Sequence, residues 1–122
     1  MKKILIIEDD QFLLDIYATK LKEEGFEVEG AVNGEVALKK LEESQPDLIL
    51  LDIILPMKGG FDVLKEIKKD ERFKKLPIII ISNLSRKEDM KKGLSMGAVK
   101  YLVKANYTPS QIVKEIKKIL QR

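Results

Sequence analysis

The chain alternates between short runs of consecutive apolar residues and longer segments in which apolar residues recur every three or four positions. The short runs, such as Ile78 to Ile81, are apolar throughout, which is typical of parallel strands covered on both faces. The longer segments have the period of amphipathic helices. The short runs predict five strands, near residues 3–8, 27–32, 48–52, 78–82 and 99–103.

A predicted helix follows each strand, and residues with known end preferences mark where the helices stop and start. The helices are expected near residues 11–24, 36–41, 61–69, 86–96 and 109–121. Gly25 and Gly97 stand where a helix usually ends, and Pro109 stands where one usually begins. Five β/α units joined by right-handed crossovers predict a doubly wound α/β sheet with helices on both faces. Without a linker, a repeat or a low-complexity stretch, residues 1–122 are expected to form one domain.

Cysteine and histidine are both missing from the 122 residues, and their absence narrows the chemistry. The chain has no cysteine, which excludes disulfides and cysteine-type zinc sites, and no histidine. Acid/base catalysis by histidine, Ser-His-Asp triads and histidine metal ligands are therefore excluded as well. What remains for metal binding is oxygen, the ligand type of Mg²⁺, Ca²⁺ and Mn²⁺.

The charge and hydropathy of the chain favour a water-facing surface. The net charge is +3, but lysines are mixed with glutamates on every predicted helix, so a solvated, salt-bridged surface is favoured over a nucleic-acid patch. No apolar run approaches the roughly 20 residues of a transmembrane helix, and the start does not resemble a signal peptide. A cytoplasmic location is the expectation.

Polar side chains stand at the ends of four of the five apolar runs. The acidic residues 8–10 follow the first run, Asp52 closes the third, Ser82 closes the fourth and Lys104 follows the fifth. In an open parallel sheet, ligands bind outside the carboxyl ends of the strands. We therefore expect these side chains to converge on one edge of the sheet.

Clustered carboxylates repel one another, and a bound cation is the usual remedy. Asp10 is best placed as the N-cap of the first helix, which leaves Glu8 and Asp9 to join Asp52 at a Mg²⁺ site. A hydroxyl and a lysine at the same edge would suit a phosphorylated carboxylate. Plainer roles stay open: Asp52 and Ser82 as turn formers, and the lysine as a solvated side chain.

The order and spacing of these pieces resemble the receiver domain of a two-component response regulator, in particular the single-domain chemotaxis-type regulators. The resemblance covers essentially the whole chain. It rests on four segments: Ile4 to Asp10, Asp47 to Pro56 with Gly60 beyond it, Pro77 to Ser82, and Tyr101 to Lys104. It implies a flavodoxin-like (βα)5 fold whose five parallel strands lie in the order 2-1-3-4-5.

The same resemblance implies a phosphorylation-dependent signalling switch. Asp52 would accept a phosphoryl group from a histidine kinase or phosphotransfer protein. Asp9, Asp52 and the main-chain carbonyl of Ile54 would bind Mg²⁺ directly, and Glu8 would act mainly through water. Such a protein is not a classical enzyme, because it catalyses only its own phosphorylation and dephosphorylation.

The remaining roles implied by the resemblance concern the response to phosphorylation. Ser82 and Lys104 would contact the phosphoryl oxygens, and Tyr101 would be the switch aromatic that swings inward, unless it is an ordinary edge-strand aromatic. The helix near 86–96, the fifth strand and the last helix would present the output face to a downstream protein. The expected oligomeric state is a monomer or a phosphorylation-dependent dimer. Neither direct nucleic-acid binding nor membrane contact is expected.

The chain departs from the family pattern at several positions. Ala105 stands where the family usually has a proline with a cis peptide bond; a non-proline cis bond is costly, so we expect a trans bond and a changed loop. Gly59 replaces a common aspartate, and Asn83 a common small residue. Ile54 and Leu84 are apolar, and we hypothesise that they hinder an attacking water and lengthen the life of the phosphorylated state.

Two other function classes remain as alternatives. One is a degenerate receiver that binds protein without phosphorylation. The other is an aspartyl-phosphate phosphatase of the haloacid dehalogenase type, but such enzymes need a second carboxylate where this chain has Ile54. Nucleotide binding is not supported, because there is no Walker motif and Gly59-Gly60 alone is not a dinucleotide fingerprint. Whether the chain acts alone or within a longer regulator stays open.

Overall fold

A computed structural model describes residues 1–121 and shows a five-stranded parallel sheet. The strands are β1 (Lys3–Ile7), β2 (Glu27–Ala31), β3 (Leu48–Leu51), β4 (Ile78–Ser82) and β5 (Lys100–Val103). They lie in the order β2-β1-β3-β4-β5, and every neighbouring pair is parallel. The predicted fold class and strand order are confirmed.

Helices alternate with the strands along the chain. They are α1 (Gln11–Glu23), α2 (Gly34–Glu43), α3 (Gly60–Lys69), α4 (Lys87–Ser95) and α5 (Pro109–Leu120). All five predicted helices form, and their observed ends differ from the predicted ones by a few residues at most. Such differences are expected because helix and strand ends are weakly determined by local pattern.

The sheet separates two hydrophobic cores, as a doubly wound fold requires. Side chains of α2, α3 and α4 pack on one face of the sheet, and side chains of α1 and α5 pack on the other. Successive residues of β1 divide between them, since Ile4 and Ile6 contact the second core while Leu5 and Ile7 contact the first. This double coverage explains why the strands are apolar throughout.

The residues that the sequence indicated as helix starts and ends have those roles in the structure. The side chain of Asp10 accepts hydrogen bonds from the main-chain N–H groups of Phe12 and Leu13, so it is the N-cap of α1. Thr108 and Gln111 form a capping box at the start of α5. Gly25 has a φ of 91°, the left-handed conformation that suits glycine after a helix.

The segment after β5 contains the trans peptide bond expected before Ala105. None of the peptide bonds between the described residues is cis, so the bond before Ala105 is trans, as predicted. The chain forms a short 3₁₀ turn over Lys104–Asn106, which the sequence pattern did not indicate. Separately, within residues 1–121 no helix has both the length and the apolar composition needed to cross a membrane.

Candidate functional site

Strand register brings the predicted polar residues to one edge of the sheet. Ile7 of β1 lies beside Leu51 of β3, so the residues that follow them, Glu8 and Asp52, are neighbours. The N–H of Asp52 donates to the carbonyl of Ile7 at 2.9 Å, which continues the pairing by one residue. On the other side of β3, β4 ends at Ser82, which lies beside Val103 of β5.

Three carboxylates meet at this edge. Glu8, Asp9 and Asp52 can each place one oxygen so that the three oxygens lie within 4.8 Å of one another. Glu8 is 1% exposed and Asp52 is 4% exposed, whereas Asp9 faces solvent. Three oxygen donors of this kind, two of them buried, match the preference of a hard divalent cation. The cluster therefore fits a metal ion.

Lys104 reaches into the same cluster from the end of β5. Its Nζ lies 2.6 Å from Oε1 of Glu8 and 2.7 Å from Oδ2 of Asp52. Burial alone would lower the pKa of Lys104, but the two carboxylates outweigh it and raise that pKa above its ordinary value. Burial raises the pKa of Glu8, and the nearby charge of Asp52 adds to the effect. The lysine thus neutralises part of a buried negative charge.

The two carboxylate oxygens of Asp52 have different partners. Oδ1 accepts a hydrogen bond from the N–H of Ile54 at 3.0 Å, so Asp52 does form the turn that was its plainer role. Oδ2 contacts Lys104. Behind this turn, the N–H of Gly60 donates to the carbonyl of Ile53 at 2.9 Å. A Cβ on Gly60 would come within 2.6 Å of the carbonyl oxygen of Asp52, and closer still to Ile53, so only glycine fits there.

Ser82 and Tyr101 are joined through the main chain of Leu84. The Oγ of Ser82, which is fully buried, accepts a hydrogen bond from the N–H of Leu84 at 3.2 Å. The hydroxyl of Tyr101 donates to the carbonyl of Leu84 at 2.7 Å. Tyr101 is 7% exposed, and burial raises its pKa. Its side chain therefore points inward and packs against α4.

Sequence reasoning missed several residues around this site. Gly93 of α4 is buried, and a Cβ there would lie 3.0 Å from Cδ2 of Tyr101, so the glycine makes room for the inward ring. Tyr17 of α1 is also buried, and Lys104 and Glu8 are close enough for their charges to influence its pKa, which burial raises. Tyr17 looked like one more member of an apolar helical stripe, a pattern that carries no sign of a neighbouring site.

The apolar residues next to the site differ in exposure. Ile54, whose N–H completes the turn that begins at Asp52, is 53% exposed. Leu84 is partly buried against the first core. Met57 is exposed and has a φ of 64°, a left-handed conformation uncommon for a residue with a side chain. The loop between β3 and α3 thus presents apolar side chains to solvent beside Asp52.

Comparison with known families agrees with the fold. The model of the response regulator receiver domain matches residues 4–117. The chain belongs to this family, whose members are signalling proteins that interact with histidine kinases and downstream effectors.

Curated relatives include two longer transcriptional regulators. The chain is 34% identical over 121 residues to the alkaline phosphatase synthesis transcriptional regulatory protein PhoP of Bacillus subtilis. It is 31% identical over 121 residues to the phosphate regulon transcriptional regulatory protein PhoB of Escherichia coli. Each match covers 99% of this chain but only 49% of the first relative and 52% of the second. The chain spans about half the length of these relatives.

Solved structures match over nearly the full length of both chains. A two-component response regulator from Clostridium difficile has a TM-score of 0.92 and 29% identity, and the match covers 100% of this chain and 98% of that chain. The chemotaxis protein CheY4 of Vibrio cholerae has a TM-score of 0.90 and 28% identity, with 97% and 98% covered. These solved chains therefore share the flavodoxin-like fold of this chain.

Proposed function

We propose that this receiver domain, taken as residues 1–122, is a phosphorylation-dependent switch in which Asp52 accepts a phosphoryl group. The observation that carries the proposal is the placement of the Asp52 carboxylate. It is buried at a strand end, beside two further carboxylates and 2.7 Å from the Nζ of Lys104. The donor is a histidine kinase or a phosphotransfer protein that carries phosphohistidine.

The chemistry fits a site whose charged groups are acids and a lysine. A carboxylate oxygen of Asp52 attacks phosphorus, an O–P bond forms, and the P–N bond to the donor's imidazole breaks with its electron pair leaving on nitrogen. Such a transfer needs positioning and charge neutralisation more than a proton-transfer base. The N–H of Ile54 and the ammonium of Lys104 orient the carboxylate through its two oxygens.

We assign Mg²⁺ as the cofactor, held by Asp9, Asp52 and the main-chain carbonyl of Ile54, with Glu8 acting through water. The oxygen cluster within 4.8 Å supports a cation of this kind. When bound, Mg²⁺ would supply positive charge against the carboxylates and the incoming phosphoryl group. Lys104 contributes part of this neutralisation by itself.

The response to phosphorylation would pass through Ser82, Lys104 and Tyr101. Ser82 and Lys104 are proposed to contact the phosphoryl oxygens, which add roughly two negative charges at the edge of the sheet. Ser82 binds the N–H of Leu84, and Tyr101 binds its carbonyl, so a movement at Ser82 reaches the tyrosine through one residue. The proposed output face consists of α4, β5 and α5, and its ligand is a downstream protein.

We also propose that the phosphorylated state is long-lived, because Ile54 and Leu84 hinder an attacking water. The exposed position of Ile54 beside Asp52 supports this hypothesis. The test is the half-life of the phosphorylated protein in the double variant Ile54→Asn with Leu84→Glu, compared with the wild type. We expect a several-fold shorter half-life; an equal or longer one would refute the hypothesis.

The chain's wider role is proposed on the same basis. We propose that it acts in the cytoplasm, as a monomer or a phosphorylation-dependent dimer, and that it does not bind nucleic acid directly. Its curated relatives are about twice its length, so the effect on a transcriptional or other target belongs to the whole protein.

Intact mass after incubation with acetyl phosphate and Mg²⁺ tests the proposal, with Asp52→Asn as the control. We expect a single phosphoryl adduct in the wild type that requires Mg²⁺ and is absent from the variant. Phosphohistidine on a kinase is the second donor to try. Absence of an adduct with both donors would refute the proposal and favour a phosphate-independent protein-binding module.

A further inference from the structure

The first turn of α4 contains a mostly buried carboxylate that none of the steps above uses. The side chain of Asp89 is 16% exposed, and its Oδ2 is buried. Within residues 1–121 no group donates a hydrogen bond to this oxygen. Its ion pair is with the Nε of Arg86 at 3.5 Å, on a side chain that is 77% exposed. A buried acceptor without a donor is costly, and more so when it carries charge.

The position of Asp89 on α4 directs it towards the switch tyrosine. Asp89 and Gly93 are four residues apart, so they share one face of the helix. Gly93 packs against Tyr101 and Ile80, where a Cβ would lie 3.0 Å and 2.5 Å from their nearest atoms. Asp89 lies one turn closer to the β4–α4 loop, the region in which the hydroxyl of Tyr101 binds Leu84. Burial is the main cause of the raised pKa of Tyr101, and the charge of Asp89 adds to it.

The region around Leu84, Asp89 and Tyr101 has more hydrogen-bond acceptors than donors. The hydroxyl of Tyr101 carries one proton, and it donates that proton to the carbonyl of Leu84. The N–H of Leu84 is already engaged with the Oγ of Ser82. The carboxylate of Asp89 therefore receives no hydrogen bond from Tyr101 while the tyrosine is inward. With the ring inward, the buried Oδ2 of Asp89 has, among the described residues, only the long ion pair with the exposed side chain of Arg86 and no hydrogen-bond donor.

We propose that Asp89 is a positioning residue of the switch, whose buried carboxylate, on the face of α4 that packs against Tyr101 at Gly93, disfavours the inward placement of the tyrosine. This inference rests on the proposed function. A two-state element responds to a ligand only as far as the two states differ in energy, and a penalty on one state lowers its resting population. Asp89 would thus lower the population of the inward arrangement in the unphosphorylated protein, and phosphorylation would raise that population.

A simpler role for Asp89 is to stabilise the start of α4 through the helix dipole. Glu88 provides the matched control, because it lies in the same first turn and is exposed. Both acids interact with the helix N-terminus, but only Asp89 is buried near Tyr101. A dipole role predicts similar effects for Asp89→Asn and Glu88→Gln, whereas the positioning role predicts an effect of Asp89→Asn alone.

The test uses the full chain labelled with 3-fluorotyrosine, with the Tyr101 fluorine resonance identified from Tyr101→Phe. Its position is recorded without ligand and with Mg²⁺ and beryllofluoride, a mimic of the phosphoryl group. In Asp89→Asn we expect the ligand-free resonance to move towards the beryllofluoride-bound wild-type position, because the amide can donate a hydrogen bond and carries no charge. Asp89→Ala, a second variant that removes the charge, should move it in the same direction, and Glu88→Gln should leave it in place.

The same samples give the affinity for beryllofluoride. We expect binding to Asp89→Asn to be about fivefold tighter than to the wild type, because the variant is already biased towards the bound arrangement. If Glu88→Gln behaves like Asp89→Asn, or if neither Asp89 variant moves the Tyr101 resonance, the inference about Asp89 is wrong while the switch itself stands. If beryllofluoride fails to bind even the wild type, the proposed function fails and this inference fails with it.

Discussion

At the scale of single residues, the site depends on adjacent residues that are chemically alike but differently placed. Gly59 and Gly60 follow the Asp52 turn, and only the second of them packs against the main chain of that turn. Asp9 and Asp10 follow β1, and only the second of them caps α1. Because the members of each pair have the same chemistry, the difference between them lies in what surrounds them.

Gly60→Ala should destabilise the protein strongly. A Cβ at this position would lie 2.6 Å from the carbonyl oxygen of Asp52, and main-chain atoms cannot move aside as a flexible side chain can. We expect a loss of roughly 2–3 kcal/mol in the free energy of unfolding, measured by urea denaturation. Gly59→Ala is the control, since the nearest atom to its Cβ is 4.0 Å away, and it should change stability by less than about 1 kcal/mol. Equal stability of the two variants would contradict this account of the turn.

Asp9 and Asp10 should separate metal binding from helix capping. Asp10→Ala removes the acceptor for two N–H groups of α1, so we expect a loss of about 1 kcal/mol in stability with little change in Mg²⁺ affinity. Asp9→Ala should weaken Mg²⁺ binding severely and leave the stability of the metal-free protein nearly unchanged. Urea denaturation and a Mg²⁺ titration followed by tyrosine fluorescence measure the two effects. Loss of Mg²⁺ binding in Asp10→Ala would show that the roles are assigned the wrong way round.

At the scale of elements, the helices differ in how firmly the cores hold them. Helix α5 buries Ile112, Val113 and Ile116 and begins with a capping box. Helix α4 fully buries only Gly93 and has no side-chain cap at its first turn. Since α4 has little apolar surface in the core, small changes near Tyr101 can shift it at low cost. This loose attachment suits an element of the proposed output face.

The ion pair between β5 and α5 should give a pH-dependent contribution to stability. Glu115 lies 2.8 Å from Lys100, and this contact lowers the pKa of Glu115 below its ordinary value of 4.5. A lowered carboxyl pKa means that the stabilisation is present above the ordinary value and is lost as the pH falls through the lowered one. We expect Glu115→Gln to lose about 0.5 kcal/mol near neutral pH and nothing in strong acid, measured by urea denaturation.

The exposed pair of Glu71 with Lys74 provides the comparison for that measurement. Its partners lie at 2.9 Å, but Glu71 is largely open to solvent. Glu71→Gln should therefore change stability very little at either pH, because solvent screens an exposed pair. An identical pH profile for Glu115→Gln and the wild type would show that the β5–α5 pair does not contribute.

At the scale of the whole molecule, the sheet concentrates charged side chains at one edge. Glu8 and Lys104 come from strands that are separated by β3 and β4, and their charged atoms lie 2.6 Å apart. Lys104 is 52 positions from Asp52 along the chain, and Glu8 is more distant still. Stability and cation binding must therefore be linked, because the same charges determine both.

Lys104→Met should reveal this linkage. Removing the ammonium leaves buried carboxylates without their cation, so we expect a loss of about 3 kcal/mol in the metal-free protein. Mg²⁺ should restore part of that loss, and its stabilising effect should exceed the effect on the wild type. Urea denaturation with and without Mg²⁺ measures both quantities. Lys100→Met, which removes a lysine of the same strand that pairs with Glu115, should show the wild-type response to Mg²⁺; a smaller Mg²⁺ effect in Lys104→Met would contradict the linkage.

Local patterns in the sequence were sufficient for the elements and for the edge at which the site forms. Runs such as Ile78 to Ile81 can be buried on both faces only between two layers of helices, so their composition indicates the architecture. Asp10 and Thr108 act on N–H groups within three residues of themselves, so their capping roles depend on nearby residues alone. The convergence of Asp52, Ser82 and Lys104 followed from their positions at strand ends, since parallel strands all point the same way.

The tertiary structure alone decided how those side chains pair and which of them are buried. Nothing near Tyr101 in the sequence indicates that its hydroxyl reaches the carbonyl of Leu84, or that Gly93 leaves space for its ring. Asp89 resembles any acid in the first turn of a helix until the packing of α4 buries it. The spacing of apolar residues and the capping residues at helix ends reflect interactions between residues close in sequence. These local interactions were enough to predict the fold. Distances, burial and the supply of hydrogen-bond donors depend on residues brought together from different elements, and only the packed structure determines them.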